Sequence, residues 1–425
     1  MAKKKVEKPK REVTKRQLSH WQQQKKRQRI ILGLGIFVVA AVLGIVGAGW
    51  YIKQYQPLHQ TVISVNDTEF NMDYYIKMLK FYGEGQPSYY MYSLAGEVVT
   101  VIEQNELVRQ GAMKLPTPIT ISNNEVKEEL KSRDLPLSKE YKDLVRTEML
   151  ANKLRAEYFE QEVPGFAEQR HIMAMFLESE SQATEVRARL EVGEDFAELA
   201  GELSLDGFSK TNKGDLGWHP EDALAELLAT SIPGEYAFDS EVGVLSQPIY
   251  DEAKTKSIGY WIIKVLDRKQ EPEEVHIQAI LLGSEEQAQD VLAKLDAGED
   301  FTALAKELSQ HEATKENGGD FDWLSLEDVS QGSAFAAWAD VFELETGVIS
   351  ESIRDDTQVT TGGYWLLKVL AQENNKQISD DDRDLLKAKA LNEWVLSLWY
   401  DPGNKVNSYL TDGMRQWAID KATGG

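Results

Sequence analysis

The sequence predicts an α+β protein with a single transmembrane helix, a mainly helical region, two tandem copies of one α+β module, and C-terminal helices. Three observations carry that reading. The 23 residues from Ile30 to Ile52 contain no charge. Apolar residues recur every three or four positions through much of 60–165. Residues 170–218 return at 275–323 with 25 identities in 49 positions and no gap.

The 425-residue chain is too long for one compact core. It has no cysteine, which excludes disulfides, a thiolate nucleophile and a Cys-ligated zinc. The net charge is −23, yet residues 1–29 carry twelve Lys/Arg against Glu7 and Glu12. The remainder is therefore strongly acidic, which argues against nucleic acid as a partner. The boundaries read as a basic cytoplasmic tail over 1–29 and an anchor over 30–52. About 20 apolar residues suffice to cross a bilayer. The positive-inside rule then places the bulk of the chain outside, in a cell membrane crossed once. Ala40, Gly44 and Ala48 are spaced for helix contact, which leaves room for a homo-oligomer.

Residues 60–165 begin with a β-branched run (Val62, Ile63, Val65) and a turn at Asn66-Asp67. Helical spacing follows in Phe70, Tyr74, Met78 and Phe81, in 94–115 and in 139–162. Ser122 followed by Glu125 is the signature of a capped helix start, and Pro164-Gly165 closes the region.

Each repeat has the same order, giving modules at 166–270 and 271–372. An apolar strand leads into a helix, and Gly-Glu-Asp-Phe opens a second helix. A polar loop reaches Gly-Asp, and a helix-prone stretch and two short strands close the copy. The segment 373–425 reads as helical, with Asp380–Trp399 and a final helix from about Val406.

The repeats carry G-E-D-F-x-x-L-A-x-x-x-S, K/G-G-D-x-x-W, and G-Y-W-[IL]-[IL]-K-V. Over about 100 residues, twice, these motifs resemble the parvulin-type, PpiC-like peptidyl-prolyl isomerases. The region before them, with Val65-Asn66-Asp67 and Ile121 to Val126, resembles the N-terminal chaperone segment of SurA-like and PrsA-like foldases. The resemblance implies a foldase or chaperone outside the cytoplasm that binds unfolded, proline-containing client polypeptides. It also implies where the reactive groups fall. The first family histidine falls on Ala174 and Ala279, and the second on Trp261 and Trp365. The loop Cys/Asp falls on Asp206 and on His311, the latter expected to be a solvated loop residue. Asp206 keeps the family's residue type and is the candidate catalytic group. Trp261, Trp365, Ala174, Ala279, Leu227, Leu228, Phe335 and Trp338 are the candidate substrate-binding residues. With both histidines replaced in both copies, isomerase activity is expected to be weak. The alternative is an inactive holdase or assembly scaffold. His171 and His276 lie three positions before the alanines, on the opposite strand face. Lys213 replaces the first Gly of the pair in repeat one, and Asp322 stands where a Gly is usual in repeat two. The six histidines have no ligand spacing, so no metal or cofactor is expected.

Overall fold

The computed structural model describes residues 42–86, 90–270, 273–325, 337–338 and 343–424. The chain divides into two compact units. One holds the residues up to Leu154 together with Glu393–Gly425, and the other holds Arg155–Asn392.

The expected transmembrane helix needs correction. Residues 30–41 lie outside the described residues. Among the described residues no helix is long and apolar enough to cross a membrane. The described part of the uncharged run, 42–52, passes into a π-helical turn, Tyr51–Tyr55, that includes the charged Lys53.

In the first unit, β1 (Thr61–Val65) and β2 (Thr68–Asn71) form a hairpin turned at Asn66, which takes φ 53°. Val406–Ser408 pairs antiparallel with β1 and completes a three-stranded sheet. The Asn71 side chain accepts from Tyr74 N and caps α1 (Met72–Gly83). Helices α2 (Met91–Lys114), α3 (Asn123–Ser132) and α4 (Lys139–Lys153) follow. The Ser122–Glu125 capping box at α3 is present in both directions. The core joins Val62 and Ile63 to Tyr75, Met78, Ile102 and, from the C-terminal helix Asp412–Thr423, Ala418.

The second unit is built on one six-stranded sheet. In chain order its elements are β3 (Phe166–Leu177), α5 (Glu180–Glu191), α6 (Phe196–Leu203), α7 (Gly207–Thr211), β4 (Asp215–His219), α8 (Glu221–Leu228), α9 (Ile232–Asp239) and β5 (Ile249–Gln270). Repeat two supplies β6 (Glu273–Leu282), α10 (Glu285–Asp296), α11 (Phe301–Leu308), α12 (Glu312–Lys315), β7 (Asp320–Ser325) and β8 (Ile353–Gln377). The repeated motif has a local cause. Asp195 and Asp300 cap α6 and α11 by accepting from Glu198 N and Ala303 N. Ser204 and Ser309, which end the motif, accept from Phe176 N and Leu281 N in the opening strands.

The strand order is β4-β3-β8-β5-β6-β7. The opening strand of repeat one therefore pairs with the closing strand of repeat two, with Ala174 opposite Leu367 and Phe176 opposite Trp365. The closing strand of repeat one pairs in turn with the opening strand of repeat two, Ile263 opposite Ala279. The two repeats have exchanged their closing strands. Between the exchanged parts, β5 and β8 pair with each other through Thr255–Thr361 and Ser257–Val359. Below, the first module means repeat one completed by β8, and the second means repeat two completed by β5.

Candidate functional site

In the first module, strand alternation separates two faces. Met175, Leu177 and Leu366 pack with Val186 and Leu199 of α5 and α6. Ile172, Ala174, Phe176, Trp365 and Leu367 pack with Leu224 and Leu228 of α8. The second face is where the family resemblance puts the reactive groups. Ala174 and Trp365 are both 0% exposed. Leu228 is buried beside them, and Leu227 on the same helix is half-buried.

A polar cluster lies against that apolar face. Asp206 caps α7, its Oδ1 accepting from Ser209 N at 2.7 Å, and its Oδ2 pairs with Lys254 Nζ at 2.8 Å. Lys254 also donates to Leu228 O at 2.6 Å and sits 5.6 Å from the Trp365 ring centre. The Trp365 indole N–H donates to Asp251 Oδ2 at 3.0 Å, and Thr230 donates to the same oxygen at 2.7 Å. Asp206, Asp251 and Lys254 are all buried, and every member of the cluster is hydrogen-bonded. Lys254 and Asp251 escaped the sequence reading. A signal existed: Asp251 recurs as Asp355, which likewise accepts from Thr357 and Gln358 at the start of its closing segment.

The loop before β4 fixes the opening strand. Ala174 N donates to Gly214 O at 2.9 Å, and Ser209 Oγ donates to Ala174 O at 2.5 Å. Lys213 takes φ 52° and Asp322 takes φ 59°, both in the left-handed region. Their repeat counterparts, Gly318 and Gly217, take φ 74° and 84°.

His171 turns away from the apolar face. Its Nε2 bonds Asp215 Oδ1 at 2.7 Å beside Trp218, while neighbouring Arg170 reaches Ala237 O on the α9 side. His276 repeats this with Asp320 at 2.9 Å and Trp323.

In the second module, Ala279 and Trp338 are fully buried together with Ile277 and Leu281. His311 is half-buried rather than solvated. It bonds Thr314 Oγ1 at 2.9 Å and stacks on Phe321, 4.8 Å between ring centres, and Phe321 meets Trp338 edge-on. Burial holds the His311 imidazole below its ordinary pKa, so it is neutral at pH 7. By the repeat, the places of Asp206 and Lys254 fall on His311 and Gln358, both uncharged. Phe335 lies outside the described residues, and Trp261 is described by its backbone, opposite Leu281.

The description "PPIC-type PPIASE domain" fits residues 171–267 and again residues 260–373. Both repeats are parvulin-type PPIase domains. Among curated proteins, this chain is 31% identical to a chaperone SurA of Pseudomonas fluorescens over 231 residues, 43% of this chain and 50% of that one. It is 29% identical to a foldase protein PrsA of Clostridium kluyveri over 138 residues, 29% of this chain and 38% of that one. A foldase protein PrsA of Halalkalibacterium halodurans shares 38% over 137 residues, 30% and 37% of the two chains. The chain spans between 37% and 50% of the length of these relatives. A solved foldase protein PrsA from Streptococcus pneumoniae covers 86% of it at 13% identity, with a TM-score of 0.27 and 93% of the solved chain aligned. The overlap is too low to bear on arrangement.

Proposed function

We propose that the chain is an extracytoplasmic foldase and chaperone that binds unfolded, proline-containing polypeptides and turns over X–Pro bonds slowly. One observation carries this reading. The chain carries two PPIC-type domains, and the places that the resemblance assigns to the family histidines of the first module fall on Ala174 and Trp365, buried on one apolar face. Rotation about an X–Pro bond faces a barrier of about 18–20 kcal/mol from amide resonance. Lowering it requires polar groups aimed at the twisted amide. In the first module Asp206 is the group for that task, and its pairing with Lys254 withholds it. In the second module the corresponding group is neutral His311. Of the described candidates, half-buried Leu227 offers apolar surface to clients, while Leu228, Trp338 and Trp365 lie buried in the module cores. The first unit adds an open cleft of about 400 Å³, where Phe70, Met113 and Ile121 meet Arg109, Lys139 and Arg146. Such a mixed lining suits extended chains of varied sequence.

The test uses the full chain in two assays, protease-coupled prolyl isomerisation and suppression of client aggregation. Suppressed aggregation with slow turnover, lost in Asp206→Asn, supports the reading. Fast turnover abolished by His171→Ala overturns it. A second reading, a pure holdase, is favoured by the complete burial of Ala174 and Trp365. It is selected if aggregation is suppressed and turnover equals the uncatalysed rate.

A further inference from the structure

The two repeats end in near-identical closing strands, so most contacts are the same whether each module uses its own strand or the other's. Ile262, Ile263, Lys264 and Val265 in repeat one correspond to Leu366, Leu367, Lys368 and Val369 in repeat two. Pairing chemistry along these strands cannot decide between exchange and self-closure. One position breaks the symmetry. Immediately before the shared Gly-Tyr-Trp, repeat one has Ile258 and repeat two has Gly362.

Gly362 enters the first module at φ 83°, a conformation that a β-branched residue adopts only with strain. A Cβ there would meet Tyr250 Oη at 3.1 Å. Ile258 enters the second module 0% exposed, packed with Ile280, Leu282, Val291 and Phe301. Self-closure would put Ile258 at the left-handed place and leave Gly362 opposite a cavity in the second core. Further bonds hold the exchanged crossing. Lys256 Nζ donates to Gly362 O and to Thr361 O. Gln310 of repeat two accepts from Thr361 N at 2.7 Å and donates to Thr361 O at 3.2 Å.

We infer that Ile258 and Gly362 are positioning residues that direct the repeats to exchange their closing strands, so that repeat two's Trp365 completes the cleft of repeat one. This holds whatever clients the chain takes. The absence of cysteine permits a direct test by disulfide trapping in the full chain. Tyr250 lies opposite Tyr364 in the exchanged sheet. In a self-closed module it would lie opposite Tyr260, the repeat-one counterpart of Tyr364. Under mild oxidation, Tyr250→Cys with Tyr364→Cys is expected to cross-link at monomer mobility. Tyr250→Cys with Tyr260→Cys is expected not to. The reverse result, or cross-linking only between chains, overturns the inference.

The Ile258→Gly, Gly362→Ile double variant is expected to shift the ratio of the two cross-links by about tenfold or more toward 250–260. Gly362→Ala is the milder variant should the double variant not fold, and it is expected to move the ratio the same way. An unchanged ratio in a folded variant removes Ile258 and Gly362 as the determinants.

Discussion

Phe176 and Trp365 stack at a tilt of 45° with ring centres 4.9 Å apart, although one comes from the opening strand of repeat one and the other from the closing strand of repeat two. The indole that resemblance assigns to the second copy thus serves the first. Its N–H is held by Asp251, and its ring faces Lys254. Replacing Trp365 with Phe keeps much of the volume but leaves Asp251 Oδ2 with one donor fewer. A loss of about 1–3 kcal/mol is expected, readable by urea titration. A loss below 0.5 kcal/mol would contradict the hydrogen bond described.

The Asp206–Lys254 pair gives a second prediction. Both side chains are nearly buried, so removing one strands the other's charge. Lys254→Met and Asp206→Ala are each expected to destabilise the unit by about 3–5 kcal/mol. The double variant is expected to cost less than the sum, because neither member of the pair is left without its partner. Additive losses in a double-mutant cycle would mean that the pair is not coupled.

The two left-handed non-glycine residues in the Gly-Asp loops give a third. Lys213→Gly is expected to stabilise by up to about 1 kcal/mol, as relief of φ 52° outweighs the added freedom of the unfolded chain. The converse change, Gly318→Ala, is expected to destabilise, because its Cβ would fall 2.3 Å from Thr302 Cγ2. Repeat one escapes that clash because Ala197 stands in the place of Thr302. Thermal melts of the two single variants, moving in opposite directions, check this.

Glu103 on α2 gives a pH dependence. Burial pushes its carboxyl up to about 7, from 4.5. Between those values the folded chain binds more protons than the unfolded one, so this group's contribution to stability falls as pH rises from 4.5 to 7. Glu103→Gln is expected to remove that slope and to stabilise the first unit at pH 8 by a few kcal/mol, on the order of the shift. Equal effects at pH 4 and pH 8 would refute the assignment.

Much of the site was legible because the chain repeats itself. The caps at Asp195 and Asp300, the serines that follow, and the Gly-Asp loops follow from spacing that occurs twice. Strand alternation set His171 apart from Ala174; the structure bonds His171 to Asp215 of the Gly-Asp loop, where the pairing of β3 shifts register. The exchange was not legible for the same reason. Two closing strands with one motif satisfy either partner, and the deciding residues, Ile258 and Gly362, lie just outside the motif. The Asp206–Lys254 bond joins residues 48 apart across that crossing, so no local pattern announces it. The uncharged run over 30–52 reads as a span by hydropathy, but the described helix from 42 is interrupted by a π turn that contains Lys53.

If the protein works among unfolded chains, as proposed, its own unpaired backbone needs hiding from them. Two self-closed modules would each present two open sheet borders, four in all, where a stray segment could add itself as a further strand. Merged into one sheet, the second unit has, among the described residues, two such borders, β4 and β7, of 5 and 6 residues. The exchange thereby halves the number of borders on which an extended segment could template.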